Sequence, residues 1–411
     1  MTRVVVTGIG LITPIGNDPK SAWQSLMAGR PGAGPITAFD ASAFETRIAC
    51  EVKGFDPEAY VDKKEAKRTD RFIQFAIAAA MQAVEQSRVE IAPIANEVAT
   101  FIGSGIGGLN TVSEQAETLA KRGPRKVSPF LIPMMVADMA AGKVSIHLGA
   151  KGPCICVTTS CCSGADSMGE AAELIRRGDA KVAIAGGAEA CITPLGVAGF
   201  NAAGALSRRN DDPLHASRPF DNERDGFVMG EGAGVLVLES LEHAEARGAN
   251  ILAEFSGFGY SADAHHITQP PEGGEGGVRS MRMALRKAGL RPDQIDYVNA
   301  HGTSTQYNDR AETAGIKTVF GEAAYKLAVS STKSMTGHLL GAGGPVEAAF
   351  SIMAIQNGML PPTINYQNRD PNCDLDYVPN TARPAKVRAI LSNSFGFGGH
   401  NTSLIFQEFK G

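Results

Sequence analysis

The segment TTSCCSGADS places Cys161 and Cys162 directly after a run of β-branched residues and directly before a predicted helix over 163–177. At such a junction, backbone N–H groups and the positive end of the helix dipole stabilise a thiolate, the nucleophilic form of cysteine. Ser160, Ser163 and Gly164 keep the turn small enough for a thioester to approach the backbone. Cys161 is read as the nucleophile, although such a turn sends only one of two adjacent side chains into a pocket and spacing alone does not separate it from Cys162. VNAHGTSTQYND sets His301 after a short apolar strand, and SSTKSMTGHLLGAGG repeats the design with Lys333 and His338. A thiolate that accepts an acyl group, beside two imidazole N–H donors that hold a developing enolate oxygen, suits carbon–carbon bond formation on thioesters.

Other motifs narrow the chemistry. The Gly-rich tail SNSFGFGGHN, with the amide of Phe397, is expected to border the same pocket. GIG at 8–10 lacks the third glycine of a dinucleotide fingerprint, and GSGIGG at 103–108 lacks the G-K-[ST] of a phosphate-binding loop, so no nucleotide cofactor is expected. Cys50, Cys154, Cys156 and Cys191 read as inert, buried small hydrophobes. The chain lacks paired C-x-x-C knuckles, and no metal ligand set is assigned.

Positioning these groups needs an α/β scaffold. Short β-branched runs at 3–8, 99–103, 154–158, 182–185, 234–239, 253–259, 297–300, 327–330 and 389–393 alternate with Ala-rich helical stretches at 71–86, 163–177, 276–288, 309–320 and 345–356. Residues 156–175 resemble 328–350: aligning Val157 with Val329 sets Cys161 opposite Lys333 and suggests two duplicated halves, 1–250 with the nucleophile and 251–411 with the His/Lys/His residues. The 411 residues, 43% hydrophobic and 20% charged, give ample core. A net charge of −4 argues against a nucleic-acid or membrane binder. No run of 18 uncharged apolar residues occurs, the first residues read as a strand and turn rather than a targeting signal, and seven cysteines point to a reducing compartment, so a cytoplasmic location is expected. Lys63, Lys67 and Arg68, with Arg125, Lys126 and Arg208, could form a local basic rim that steers an acidic protein partner.

TTSCCSG, NAHGTST followed by Asp309, SSTKSMTGHLLGAGG with Glu347, SRPFDNERDGFVMGEGAG and NSFGFGGHN together resemble the β-ketoacyl-[acyl-carrier-protein] synthases, most closely the type II elongating enzymes of bacterial fatty acid synthesis. The resemblance covers essentially the whole chain. It implies the thiolase fold, with duplicated α/β halves layered α-β-α-β-α, as a homodimer. It implies decarboxylative condensation of acyl- with malonyl-[acyl-carrier-protein], with Cys161 taking the acyl chain and the amides of Cys161 and Phe397 forming an oxyanion hole. His301 and His338 would bind the malonyl thioester, and Lys333 would organise the site with Asp309, Glu312 and Glu347 as charge partners. Thr303 and Thr305 would bind the phosphopantetheine arm, which arrives on the carrier protein, so no resident cofactor is implied beyond room for a structural monovalent cation. Phe397 would gate the pocket, Ile106 and Phe200 would line its acyl arm, and Lys63, Lys67, Arg68, Arg125, Lys126 and Arg208 would dock the carrier protein. Ser160, Cys162 and His400 stand where alanine, threonine and threonine are usual. Initiating synthases, with Cys-His-Asn, fit poorly with Lys333 and His338; thiolases need a second catalytic cysteine, and Cys373 lies outside a Gly-rich turn. A stand-alone polyketide ketosynthase is the nearest enzyme rival, and a noncatalytic chain-length-factor-like partner would lack the nucleophile.

Overall fold

Ten strands hydrogen-bond into one sheet whose order repeats itself. The computed structural model describes residues 2–411. The first five strands are β1 (Val4–Ile12), β2 (Val98–Gly103), β3 (Cys154–Ile155), β4 (Val182–Glu189) and β5 (Gly232–Ser240). The second five are β6 (Ala253–Ala262), β7 (Tyr297–Asn299), β8 (Ala328–Ser330), β9 (Ala389–Gly396) and β10 (His400–Gln407). Their order is β8-β7-β9-β10-β6-β1-β5-β4-β2-β3. From the centre outward, the first run reads 1-5-4-2-3 and the second 6-10-9-7-8, each strand displaced by five. The two runs join at an antiparallel contact, Val5 opposite Glu254 and Val6 opposite Ala253. Within each run the two central pairs are antiparallel and the two outer pairs parallel.

The helices that matter to the site are α1 (Arg71–Ser87), α2 (Met139–Leu148), α3 (Ser163–Arg177), α4 (Pro194–Ala202), α5 (Glu275–Ala288), α6 (Gln306–Phe320) and α7 (Gly343–Asn357). Helices α1 and α2 cover the outer face of the first run, and α5 with α6 cover that of the second. Between the two runs lie α3 and α7, which pack on each other and on strands of both. The result is an α-β-α-β-α stack. Sequence explains the middle layer: GGPVEAAFSIMAIQN is small or apolar around most of its circumference, which suits a helix buried on all sides. Small residues bring the halves close, since a Cβ on Gly164 would sit 2.6 Å from Gly341 O.

The structure corrects the alignment behind the expected repeat. The 3-10 turn Ser160–Cys162 before α3 matches the 3-10 turn Leu340–Ala342 before α7. Ser160 and Leu340 both take left-handed φ, 54° and 49°, and both helices end at a left-handed glycine, Gly178 and Gly358. Cys161 therefore stands opposite Gly341, not Lys333. Lys333 sits on an additional one-turn helix, Lys333–Thr336, inserted between strand and turn, which an alignment started at the strand cannot register. The 154–158 strand pairs only through Cys154–Ile155, because the chain leaves the sheet to build the nucleophile turn. The Gly-rich tail is a connection between two paired strands, β9 and β10, and β10 itself was not expected. Helices Pro19–Met27, Leu109–Arg122, α2 and α4 were likewise not expected. Cys50 and Cys191 are buried, but Cys154 is exposed and Cys156 half-buried, since β3 is an outer edge of the sheet.

Candidate active site

The reactive residues arrive where the chain leaves the parallel strands. His301 follows β7 by two residues, Lys333 follows β8, Phe397 follows β9, and Cys161 lies in the turn that leads from β3 to α3. They converge on one cavity of about 440 Å³ lined by Cys161, His301, His338, Thr303, Phe200 and Phe397, a size that suits a small-molecule chain. Ile106 and Thr305 also line it. Cys162 does not: its thiol is buried and donates to the carbonyls of Ser394, at 3.0 Å, and His400, at 3.4 Å. The geometry thus resolves the two adjacent cysteines in favour of Cys161.

His338 Nε2 stands 3.1 Å from Cys161 Sγ. The Leu340 N–H donates to His338 Nδ1 at 3.3 Å, so the ring's own proton is assigned to Nε2, facing the sulfur. His301 is treated in the same way: Lys333 Nζ lies 3.4 Å from its Nδ1 and donates there, which leaves Nε2–H free. The two rings cross edge-to-face with centroids 5.2 Å apart. Burial, reinforced by the Lys333 charge, holds both imidazoles well below their ordinary range, so they are neutral N–H donors. Burial pushes the Cys161 thiol up to about 12, against the opposing pull of Lys333 and of the Phe397 amide. The backbone N–H groups of Phe397 and of Cys161 itself face the sulfur. The resting pair is therefore a neutral thiol beside a neutral imidazole, and the helix end does not by itself produce the thiolate expected from sequence.

Lys333 pairs with Glu347, both about 98% removed from solvent. Burial lifts the Glu347 carboxyl to about 7 even beside Lys333. The other two expected charge partners are placed elsewhere. Glu312, on α6, accepts the amides of His301 and Gly302 at 2.8 Å each and the Asn393 side chain at 3.1 Å, and burial lifts it to about 7. Asp309 accepts the Phe220 amide at 2.8 Å and lies 3.4 Å from the buried Arg224 guanidinium. Neither meets Lys333: Glu312 holds the His301 loop directly, and Asp309 acts on it through Arg224, which donates to the Thr305 carbonyl.

Thr303 and Thr305 hydroxyls lie 2.9 Å apart at the start of α6. Phe200, on α4, packs against Phe227 and Phe397, and Phe227 stands edge-on to His338 with centroids 5.2 Å apart. Of the basic residues, Arg68 stacks on Phe130, a few residues beyond the 3-10 turn that carries Arg125 and Lys126. Lys63 and Lys67 are exposed beside Arg68. Arg208 instead donates its amide to Asp225, a residue of the cavity mouth, and pairs with Glu45. Sequence reasoning gave no part to Phe227, Asn393, Arg224 or Glu189. An aromatic or acidic residue at a strand end has no local signature, although the quoted run SRPFDNERDGFVMGEGAG contains two of these four.

Comparison with known proteins agrees with this arrangement. The β-ketoacyl synthase N-terminal domain matches residues 1–244 and the β-ketoacyl synthase C-terminal domain matches residues 252–367. The chain is 54% identical over 409 residues to the 3-oxoacyl-[acyl-carrier-protein] synthase 2 of Synechocystis sp., covering 99% of this chain and 98% of that one. Among solved structures, the ishigamide ketosynthase/chain length factor superposes with a TM-score of 0.94 at 38% identity over all of both chains. A type II polyketide ketosynthase in complex with its acyl-carrier protein superposes with a TM-score of 0.91 at 33% identity, also over all of both chains. With the duplicated thiolase-type fold and the convergent thiol, imidazoles and lysine already in place, these matches establish that the chain belongs to the β-ketoacyl synthase family.

Proposed function

We propose that the chain condenses acyl-[acyl-carrier-protein] with malonyl-[acyl-carrier-protein] to 3-oxoacyl-[acyl-carrier-protein], the elongation step of type II fatty acid biosynthesis. The observation that carries this reading is one cavity holding a single thiol between two amides, faced by two neutral imidazoles whose Nε2–H groups point inward. Cys161 Sγ attacks the acyl thioester carbonyl, its proton leaves with the pantetheine thiol, and the amides of Cys161 and Phe397 hold the tetrahedral oxyanion. Acylation frees the His338 Nε2–H from the sulfur. His301 and His338 then hold the malonyl thioester oxygen while CO2 leaves, and the enolate carbon attacks the acyl-cysteine carbonyl, releasing the thiolate to be reprotonated. Thr303 and Thr305 fit the amide groups of the phosphopantetheine arm. A noncatalytic partner is not favoured, since the nucleophile and its donors are all present, and a polyketide ketosynthase is not favoured by the higher identity to a 3-oxoacyl synthase.

The partner carrier protein is acidic in this reading and docks on Lys63, Lys67, Arg68, Arg125, Lys126 and Arg208. A homodimer is supported by the unpaired edge of β3, where Ile155, Ile146 and Ile132 are exposed at 44%, 73% and 60%. A cytoplasmic location is proposed; no helix among the described residues is long and apolar enough to cross a membrane. A structural monovalent cation fits two buried oxygens that lack a hydrogen-bond partner among the described residues, Asn299 Oδ1 and Glu347 Oε2. Both surround Tyr297, whose hydroxyl accepts from Asn299 and is acted on by the Glu347 charge. Bound there, the ion would offset the part of the Glu347 charge that Lys333 does not meet.

Intact-mass analysis after incubation with acyl-carrier proteins of graded length, followed by malonyl-carrier protein, tests the reading. Acyl adducts on Cys161 that discharge as products two carbons longer are expected, with ping-pong kinetics. Absence of an adduct, or one that malonyl-carrier protein cannot discharge, would sink it.

Acidity should separate activity from stability. Glu312 and Glu347 both stand near 7 in the folded chain, above the ordinary 4.5, so the fold binds more protons than the unfolded chain between those values. Their contribution to stability is full below 4.5 and is lost as pH rises through about 7. Protonation on the acid side takes the charge from the acceptor of the His301 and Gly302 amides, weakening both bonds, and removes the counter-charge of Lys333. Condensation is expected to fall along an acid limb near pH 7, while the melting temperatures of Glu312→Gln and Glu347→Gln variants, the latter lowered outright by leaving Lys333 unpaired, compare most favourably with the parent's at pH 8. An acid limb unchanged in both variants would refute the assignment.

A further inference from the structure

Glu189, the last residue of β4, is fully buried and has no cationic partner among the described residues. Every group around it donates. Its Oε2 accepts the Gly105 amide at 2.8 Å and the Gly341 amide at 3.1 Å, and its Oε1 accepts Ser104 Oγ at 2.9 Å, the Ile106 amide at 3.3 Å and the Cys191 thiol at 3.4 Å. Ser104 Oγ already accepts from the Gly107 amide, so its proton is committed to Glu189. Among the other buried acids, Glu239 meets Arg247 and His243 and Glu347 meets Lys333, while Glu312 resembles Glu189 in being held by neutral donors. An ionised carboxylate caged by neutral donors is costly to bury, and its return is geometric: it sets several backbone segments in one register.

The segments come from opposite halves of the molecule. Gly105 and Ile106 follow β2 and line the acyl cavity. Gly341 follows Leu340, whose N–H holds His338 in the tautomer that faces the cavity. The approach tolerates no side chain, since a Cβ on Gly341 would sit 2.6 Å from Gly105 N and 2.8 Å from Glu189 Oε2.

We propose that Glu189 is a positioning residue that locks the acyl-pocket wall to the His338 turn, so that a seated acyl chain and a correctly aimed imidazole occur together. The inference rests on the condensing reaction proposed above. It assigns Glu189 mainly to the decarboxylation and condensation steps, because Glu189 bonds the Gly105, Ile106 and Gly341 amides and neither the Cys161 nor the Phe397 amide, and reaches the Cys161 thiol only through its charge, a smaller influence there than burial or Lys333.

Glu189→Gln keeps the shape but turns one oxygen into an NH2, which must face a donor. Acylation of Cys161, followed by intact mass, is expected to stay within about tenfold of the parent, while condensation and malonyl decarboxylation fall by roughly 100-fold, the effect of a small misplacement of a reacting group. The loss should appear in kcat with KM for malonyl-carrier protein little changed. Ser104→Ala removes one donor from the cage and should shift the same ratio in the same direction by about fivefold to tenfold; it decides the matter if the glutamine variant does not fold. Equal losses in acylation and condensation, or an unchanged ratio in Ser104→Ala, would overturn the proposal. Failure of the unmodified protein to acylate or condense would instead overturn the underlying reaction.

Discussion

A Cys161→Gln enzyme is expected to lose condensation by more than about 1,000-fold, the scale of removing a covalent nucleophile, while still releasing CO2 from malonyl-carrier protein. The two outcomes separate because the two half-sites share only the sulfur position. His338 Nε2 lies 3.1 Å from Cys161 Sγ, and the amides of Phe397 and Cys161 face the same point. A glutamine carbonyl there accepts from the amides much as an acyl-cysteine carbonyl would, so the site resembles the acylated state without a transferable chain. His301 and His338 keep the donors that hold the enolate oxygen. Cys161→Ala lacks that mimic and should lose acylation while gaining little decarboxylation. Adding His301→Ala or His338→Ala to the glutamine variant should reduce decarboxylation by roughly 100-fold each, the scale of losing one preorganised oxyanion donor. The readout is the mass of the acetyl-carrier protein formed. A glutamine variant that does not decarboxylate, or one indifferent to loss of either histidine, would remove the enolate role from the imidazoles.

Much of this site could be read from the chain because its reactive residues sit in local signals. Cys161 is flagged by a strand, a turn of small residues and a helix, and α3 begins and ends where the sequence predicts. His301 and His338 announce themselves by loops of Gly, Thr and Ser after apolar strands. What escaped prediction depends on contacts distant in sequence. Glu189 is an acidic residue after a run of small ones, and its meaning appears only when Gly105 and Gly341 meet it from opposite halves. Asp309 and Glu312 share a helix with no preference written in their spacing; α6 directs one to Arg224 and the other to the His301 amide. Lys333 was misaligned because an inserted turn leaves the apolar pattern on both sides intact. The thiol's resting protonation was also beyond a local reading, since the helix end is visible in sequence and the depth of burial is not.

Lys333→Met should reduce both stability and decarboxylation, and the two losses have different remedies. Lys333 is 1% exposed and pairs with Glu347, 2% exposed. Removing one partner of such a pair costs about 3 to 5 kcal/mol, whereas replacing both by apolar residues of similar volume is often nearly neutral. The double variant Lys333→Met with Glu347→Leu should therefore recover most of the urea midpoint lost in the single variant. It should not recover decarboxylation, because the Lys333 ammonium is also the donor, 3.4 Å away, that holds the proton of His301 on Nε2. Without it the ring is free to carry its proton on Nδ1, where it cannot reach the cavity, and a fall of roughly 100-fold is expected. The single variant carries a further sign. With Lys333 gone, burial acts unopposed on Glu347, already near 7, and lifts it higher. A raised carboxyl favours the folded state at low pH and costs stability as pH rises through its folded value. Lys333→Met should accordingly lose more stability relative to the parent at pH 8 than at pH 6. If the double variant regains activity along with stability, Lys333 acts only as a counter-ion, and His301 must be held in its working tautomer by some other group.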